Sequence, residues 1–462
     1  MTSFLIQGAK GILTGRQGTE ARAYGDIRVA DGKITEIGSL RAGPGERVVD
    51  AGGCVVTPGL VNTHHHLFQS VLKAVPEGMN EGLAKWLRLV PYSYWQFLDE
   101  EALRVSATIG MAELALSGTT TVADHHYIYS ASYDYDPNEI LFDTADKFGM
   151  RFVLERGGAT KGRVFDDSRS LPLPTETLDA MLQSVEATAK QWHDPSDDAM
   201  RRVIFAPTTP TFSLQTNELE DAIKAVRGLG LRIHSHLSEN MDYVNYTLQQ
   251  FDKKPIHWLA DHDWLGEDVF FAHLVECDPS EVALLAATGT GMAHCPQANA
   301  RLGSGIAPAA ALSDLGGNVS LAVDGAAANE AADMVSALYS AFTVHRAAGG
   351  AEAVDAETLI HWATAGGARV LGLPGIGTIE VGKSADLVLF DLAHPRYLGQ
   401  HDALIGPVIS GGAADVRHSF VQGRPVVENG ALPWLDMEQL AADAARVTDR
   451  IISQSQELAR AV

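Results

Sequence analysis

The chain has 462 residues, 46% of them apolar, and a formal charge of −23. That length allows a large barrel with a smaller unit beside it, and the apolar share allows a sizeable core. The acidic excess argues against nucleic acid and anionic membrane surfaces as partners, because both need a basic face.

From the N-terminus, "MTSFLIQGAKGILTG" is broken by Gln7, Gly8 and Lys10 after a very short apolar run, so no signal peptide is expected there. No stretch approaches the ~18 uninterrupted apolar residues of a membrane helix. The first segment then reads as short strands, "SFLIQGA", "GDIRVADGKITEIG" and "RVVDAGGCVVTPG", with Asp31-Gly32 as a hairpin turn. The middle of the chain alternates. Eight short apolar runs end in polar residues: "LVNTHHH", "TTTVADHH", "RFVLERGG", "RVIFAPTTP", "LRIHSHLSE", "VFFAHLVE", "GTGMAHCP" and "VSLAVDG". Segments of helical periodicity separate them, several closing on Gly as helix ends prefer. Eight strands alternating with helices predict a (β/α)8 TIM barrel, with a doubly wound sheet as the structural alternative. Strand patterning returns in "ADLVLFDL" and "VRHSFVQGRPVVENG", and an amphipathic helix is expected over 436–462. The three cysteines, Cys54, Cys277 and Cys295, form no CxxC and cannot all pair. They point to a reducing, cytoplasmic setting.

In such a barrel, chemistry sits at the C-terminal ends of the strands. Of 17 histidines, nine fall at the ends of the eight runs: His64, His65, His66, His125, His126, His234, His236, His273 and His294. Asp324 ends the eighth. Any one of these histidines alone would read as a satisfied core or surface imidazole. Together with a carboxylate they form a transition-metal donor set, zinc above all. Strand alternation puts His64 and His66 on one side and His65 on the other, and pairs His234 with His236. Glu239 follows His236 by three residues, close enough to sit beside an activated water without ligating.

In this order, "PGLVNTHHH", "HSHLSE", "FFAH", "HCPQANARLGSG" and "LAVDGAAAN" resemble the amidohydrolase superfamily, over nearly the whole chain. They resemble most the mononuclear branch that deaminates heterocycles, near the 8-oxoguanine deaminases and the triazine hydrolases. The resemblance implies a composite β-sandwich over 1–58 and 370–435, wrapped on a barrel over 59–369, in a homo-oligomer. It implies one divalent metal ion, zinc or else iron, on His64, His66, His236 and Asp324. It makes Glu239 the proton shuttle, Asp324 the base and His273 the group that orients water and substrate. The binuclear branch carries a carboxylated lysine on the fourth strand, and "RVIFAPTTP" has none. The implied reaction is hydrolytic loss of ammonia from a 2-amino-4-oxo heterocycle of 8-oxoguanine, isocytosine or pterin type. The alternatives are an s-triazine chlorohydrolase or alkylaminohydrolase, and a scaffold that has lost catalysis.

Gln69, in "HHHLFQ", resembles the 8-oxoguanine deaminase form of the motif, and an amide suits a lactam edge because it donates and accepts at once. Trp86 either stacks on a flat ring or packs a helix. Arg156 bonds either a substrate carbonyl or a carboxylate. Two departures bear on substrate: Thr208 where the relatives carry Cys, and "AAANE", ending in Glu330, where they carry "SASND". "GTIEVGKS", Gly377–Ser384, fits the P-loop pattern but runs into a strand and not a helix, so it reads as a turn.

Overall fold

The structure is a computed structural model that describes residues 3–163 and 171–461. Residues 1, 2 and 462 of the expected segments lie outside the described residues. The eight expected runs form one parallel sheet in sequential order: Leu60–Asn62, Thr119–His126, Arg151–Arg156, Arg201–Phe205, Ile233–Leu237, Val269–His273, Gly291–His294 and Val319–Leu321. The first and eighth strands meet through specific bonds. Asn62 Oδ1 accepts from Val323 N at 3.0 Å, Thr63 Oγ1 bonds Ser320 Oγ at 2.8 Å, and Asp324 N donates to His64 O at 3.1 Å. The strand order is thus that of a TIM barrel rather than a doubly wound sheet, which would reverse order at a switch point.

Helices cover the outside, and their ends follow local chemistry. Asp99 caps Glu100–Leu116 by accepting from Ala102 N. Asp278 and Glu281 form a capping box on Pro279–Thr288, which Gly289 closes at φ 72°.

Two further sheets come from the chain ends. Ser3–Gln7, Asp26–Ala30, Lys33–Gly38 and Arg47–Asp50 make one of four strands. The other has six and joins both ends of the chain: Cys54–Pro58 pairs antiparallel with Leu387–Asp391. Alternation assigns its two faces. Val56, Leu387 and Leu389 pack with Phe4, Ile27 and Phe420 into a core between the sheets, where the Phe4 and Phe420 rings lie 5.0 Å apart. Val55, Val388 and Phe390 turn the other way, into the barrel core. A buried ion pair ties the two units: Arg151, on the third barrel strand, holds Asp386 at 2.9 Å with both side chains almost fully buried. Gly377–Ser384 is a run of turns leading to Leu387–Asp391, with no helix after it. The C-terminal helix, Met437–Ala461, lies on Glu100–Leu116, and Arg450 bonds Asp99 and Glu101 at 2.7 and 2.8 Å. All three cysteines are free thiols.

Candidate metal centre and active site

Burial favours the neutral form of three of the histidines at the strand ends, pushing His64 and His66 well below the ordinary imidazole range and His236 down to about 4. Their tautomers follow from what each Nδ1 faces. His66 Nδ1 lies 2.8 Å from His125 O and His236 Nδ1 lies 2.7 Å from Thr208 O. A carbonyl only accepts, so both Nδ1 atoms carry the proton and both Nε2 atoms present a lone pair. His64 reaches the same state through one more ring. His234 Nδ1 faces Phe270 O at 3.2 Å, leaving its Nε2 to accept from His64 Nδ1 at 2.8 Å.

His64, His66 and His236 share one group at ligand spacing, and Asp324 approaches the first two. His66 Nε2 is 3.1 Å from His236 Nε2 and 3.4 Å from Asp324 Oδ1, and His64 Nε2 is 3.5 Å from the same oxygen. Metal–ligand bonds of about 2.0–2.1 Å in a tetrahedron give ligand–ligand edges of about 3.3–3.4 Å. Lone pairs at that spacing, on neutral rings beside one carboxylate, fit a divalent transition-metal ion. His125 lies at ligand spacing from His64, His66 and His236, and also from His64 and the pair Glu155–His234, which stands one layer deeper. There, burial pushes the Glu155 carboxyl well above its usual range, so that layer offers no anion. His125 spends its Nε2 on Ala206 O at 2.7 Å. His65 faces away, its Nδ1 accepting from His66 N at 2.8 Å. His126 points out of the cluster, with Nε2 on Ile128 O at 3.0 Å and its ring edge-on to Phe68.

Glu239 and His273 stand beside these atoms. His273 Nε2 is 3.6 Å from Glu239 Oε2, and Glu239 joins none of the groups at ligand spacing. Burial pushes the Glu239 carboxyl up to about 7, against the opposing pull of His273. The backbone is strained here: Ser238, His273 and Asp324 adopt φ of 49°, 74° and 67°. Non-glycine residues held in the left-handed region persist only where surrounding bonds over-determine them, and such strain gathers at functional sites.

The cavity above is lined by Gln69, Trp86, Tyr92, Tyr127, Thr208 and Phe212, among others, with His66, His236, Glu239, His273 and Asp324 at its floor. Gln69 sits on the short turn Leu67–Val71, fixed where Leu67 N donates to Asp124 Oδ1 at 2.6 Å. Its buried Oε1 has no partner among the described residues. Trp86, on Leu83–Leu89, is 3% exposed and lines the cavity. Arg156 is the one candidate placed elsewhere. Its guanidinium grips Glu176 at 2.5 and 3.0 Å under the Tyr129 ring and does not line the cavity. Strand alternation explains this: on a strand that alternates faces, the neighbour Glu155 occupies the interior side. The cation that lines the cavity is Arg163, seven residues further on. Sequence reading passed over Arg163 and Phe212, which come from connecting segments where no periodicity marks direction, and Tyr243, which sits on the helix Met241–Phe251. Glu330 takes a bracing role, bonding Ala74 N at 2.6 Å and Arg301 at 2.9 Å and so joining three of the segments around the cavity.

Comparison with known proteins agrees with this geometry. The profile of the amidohydrolase family matches residues 55–426. An isoxanthopterin deaminase from an unknown prokaryotic organism is 45% identical, over 98% of both chains. The 8-oxoguanine deaminase of Pseudomonas aeruginosa is 35% identical, over 91% of this chain and 93% of its own. Among solved structures, a zinc-complexed atrazine chlorohydrolase from Arthrobacter aurescens TC1 superposes with a TM-score of 0.88 at 26% identity, over 96% of this chain and all of that one. The chain belongs to the amidohydrolase family, and its histidines and Asp324 form groups with the spacing of metal ligands.

Proposed function

We propose that the protein is a metal-dependent hydrolytic deaminase of an amino-substituted N-heterocycle bearing a lactam, of pterin or guanine type. The observation that carries this is the gathering of three Nδ1-protonated histidines at ligand spacing, with Asp324 against two of them and the Glu239 carboxyl, raised to about 7, nearby. Kinship with deaminases of isoxanthopterin and 8-oxoguanine supports the substrate class. His64, His66, His236 and Asp324 would hold a single ion, and zinc is our assignment. When bound, such an ion supplies Lewis acidity that makes a water nucleophilic at neutral pH.

The remaining work falls to side chains. Asp324 takes the first proton from the attacking water. Glu239 gives its proton to the ring nitrogen next to the carbon under attack; the proton held by Asp324 then passes to the departing amine, and the hydroxyl proton of the tetrahedral centre returns to Glu239 as the C=O forms. The sum is one water consumed, one ammonia released, and a C–N bond exchanged for C–O. His273 faces Glu239 and steadies charge on the tetrahedral carbon. Gln69, with a free Oε1 in the cavity wall, reads the N–H of the lactam while its amide N–H₂ reads the carbonyl. Trp86 covers the flat ring. The three free thiols support a cytoplasmic setting, and no helix among the described residues is long and apolar enough to cross a membrane.

The test is a panel of amino-heterocycles with ammonia as readout. Isoxanthopterin-like and guanine-like compounds should release ammonia and adenine should not, since it lacks the lactam. Fastest turnover of adenine, or of a chlorotriazine with loss of chloride, would refute the assignment.

A further inference from the structure

We infer that Asn299 is a positioning residue that sets the tautomer and orientation of His273 and so decides which ring nitrogen presents a lone pair to the active site. The inference rests on the deaminase reading above. Asn299 Oδ1 lies 2.9 Å from His273 Nδ1. An amide oxygen accepts, so Nδ1 carries the proton and the neutral ring offers a lone pair at Nε2, the atom 3.6 Å from Glu239. With its Nδ1 proton held by Asn299, the neutral ring keeps that Nε2 lone pair turned toward the Glu239 carboxyl.

Both partners are built for this. Asn299 is fully buried, and its backbone is pinned on both sides: its N donates to Cys295 O at 3.0 Å and its O accepts from Ser304 N at 2.9 Å. Its Nδ2 finds no partner among the described residues, so the Oδ1 contact is the one side-chain bond that fixes the amide. His273 is held at φ 74°, a conformation that needs external support, and Asn299 supplies it at the ring. The pattern repeats at His66 and His236, whose Nδ1 protons are also claimed by oxygen acceptors. At His273 the acceptor is a side chain, so it can be changed without touching the backbone.

Two substitutions separate this role from packing. Asn299→Leu keeps the branching and the heavy-atom count but cannot accept. Asn299→Asp keeps the acceptor and loses only the donor. Loss of a partner that orients a site histidine typically lowers activity 10–100-fold. Asn299→Leu should therefore lower kcat about 10–100-fold, with KM within about threefold and zinc content and melting temperature near those of the parent. Asn299→Asp should keep at least about tenfold more kcat than Asn299→Leu. A packing role predicts the reverse order, because a buried carboxylate is worse tolerated than an isosteric apolar group. In a His273→Ala background, Asn299→Leu should add less than about a twofold loss. Long-range ¹H–¹⁵N spectra of histidine-labelled protein, with His273→Gln assigning the signal, should show Nδ1 protonated in the parent. That spectrum needs no substrate, so it judges the tautomer even if no heterocycle on the panel turns over. Asn299→Asp as inactive as Asn299→Leu, an equal loss in the His273→Ala background, or an Nε2-protonated ring would each overturn the inference.

Discussion

Replacing Glu239 with Gln separates proton transfer from metal binding. The side chain is almost fully buried, its Oε1 has no partner among the described residues, and its Oε2 faces His273 Nε2 at 3.6 Å. Gln fills the same volume, and its amide N–H₂ meets the lone pair that His273 presents, so folding and the metal ligands should be untouched. What is lost is a carboxyl that burial holds at about 7, able to give and take a proton near neutrality. A general acid–base group contributes about 10²–10⁴-fold, or about 3–5 kcal/mol of barrier. Glu239→Gln should thus retain its metal and bind the deaminated product with unchanged affinity, yet turn over at least about 100-fold more slowly. The assay is metal per chain by elemental analysis, product binding at equilibrium, and ammonia release at saturating substrate. Loss of the metal would make Glu239 a ligand and refute the site as assigned. Near-normal turnover would show that another group, His273 first, carries the proton.

Elemental analysis of the parent should give about one equivalent of metal per chain, and two tightly held ions would contradict the reading of the deeper histidine layer as anion-free. His64→Ala or His236→Ala should lose metal and activity together, whereas His65→Ala should keep the metal, since its ring faces away from the convergent Nε2 atoms. Gln69→Leu should lower kcat/KM for lactam substrates about 5–150-fold, the range of about 1–3 kcal/mol for an unpaired buried polar group, without loss of metal. Gly325→Ala should act in the same direction, because its Cβ would lie 2.1 Å from Gln69 Oε1; an unchanged KM in both variants would remove Gln69 from substrate recognition. Asp386→Ala should destabilise the protein by about 3–5 kcal/mol in urea unfolding by stranding buried Arg151, and a change under about 1 kcal/mol would show that the ion pair does not join barrel and sandwich.

The barrel was legible because each of its strands ends a short apolar run in a polar residue. Runs such as "HSH" also carry the alternation that sends His236 to the cavity floor and His234 one layer beneath. Ligand candidates could be read for the same reason: a strand has a period of two, so neighbours in sequence have fixed directions. Arg156 shows where that reasoning fell short. Its place at a strand end suggested the cavity, but Glu155 beside it occupies the interior face, and Glu176, 20 residues away in sequence, claims the guanidinium. Arg163 and Phe212 lie on connecting segments whose paths are set by packing over long sequence separations, and Tyr243 lies on the buried face of the helix Met241–Phe251, where its pattern reads as core and not as cavity wall. Asn299 stood in plain view in "HCPQANARLGSG", but its bond to His273 spans 26 positions and is visible only in three dimensions.

The most direct test of the whole account is a single-turnover reaction of the zinc-loaded protein with an isoxanthopterin-type substrate in ¹⁸O-water. The account predicts one ammonia per product and one ¹⁸O atom at the carbon that bore the amine. Product without ¹⁸O, or no ammonia from any lactam-bearing amino-heterocycle while a chlorotriazine loses chloride, would contradict it.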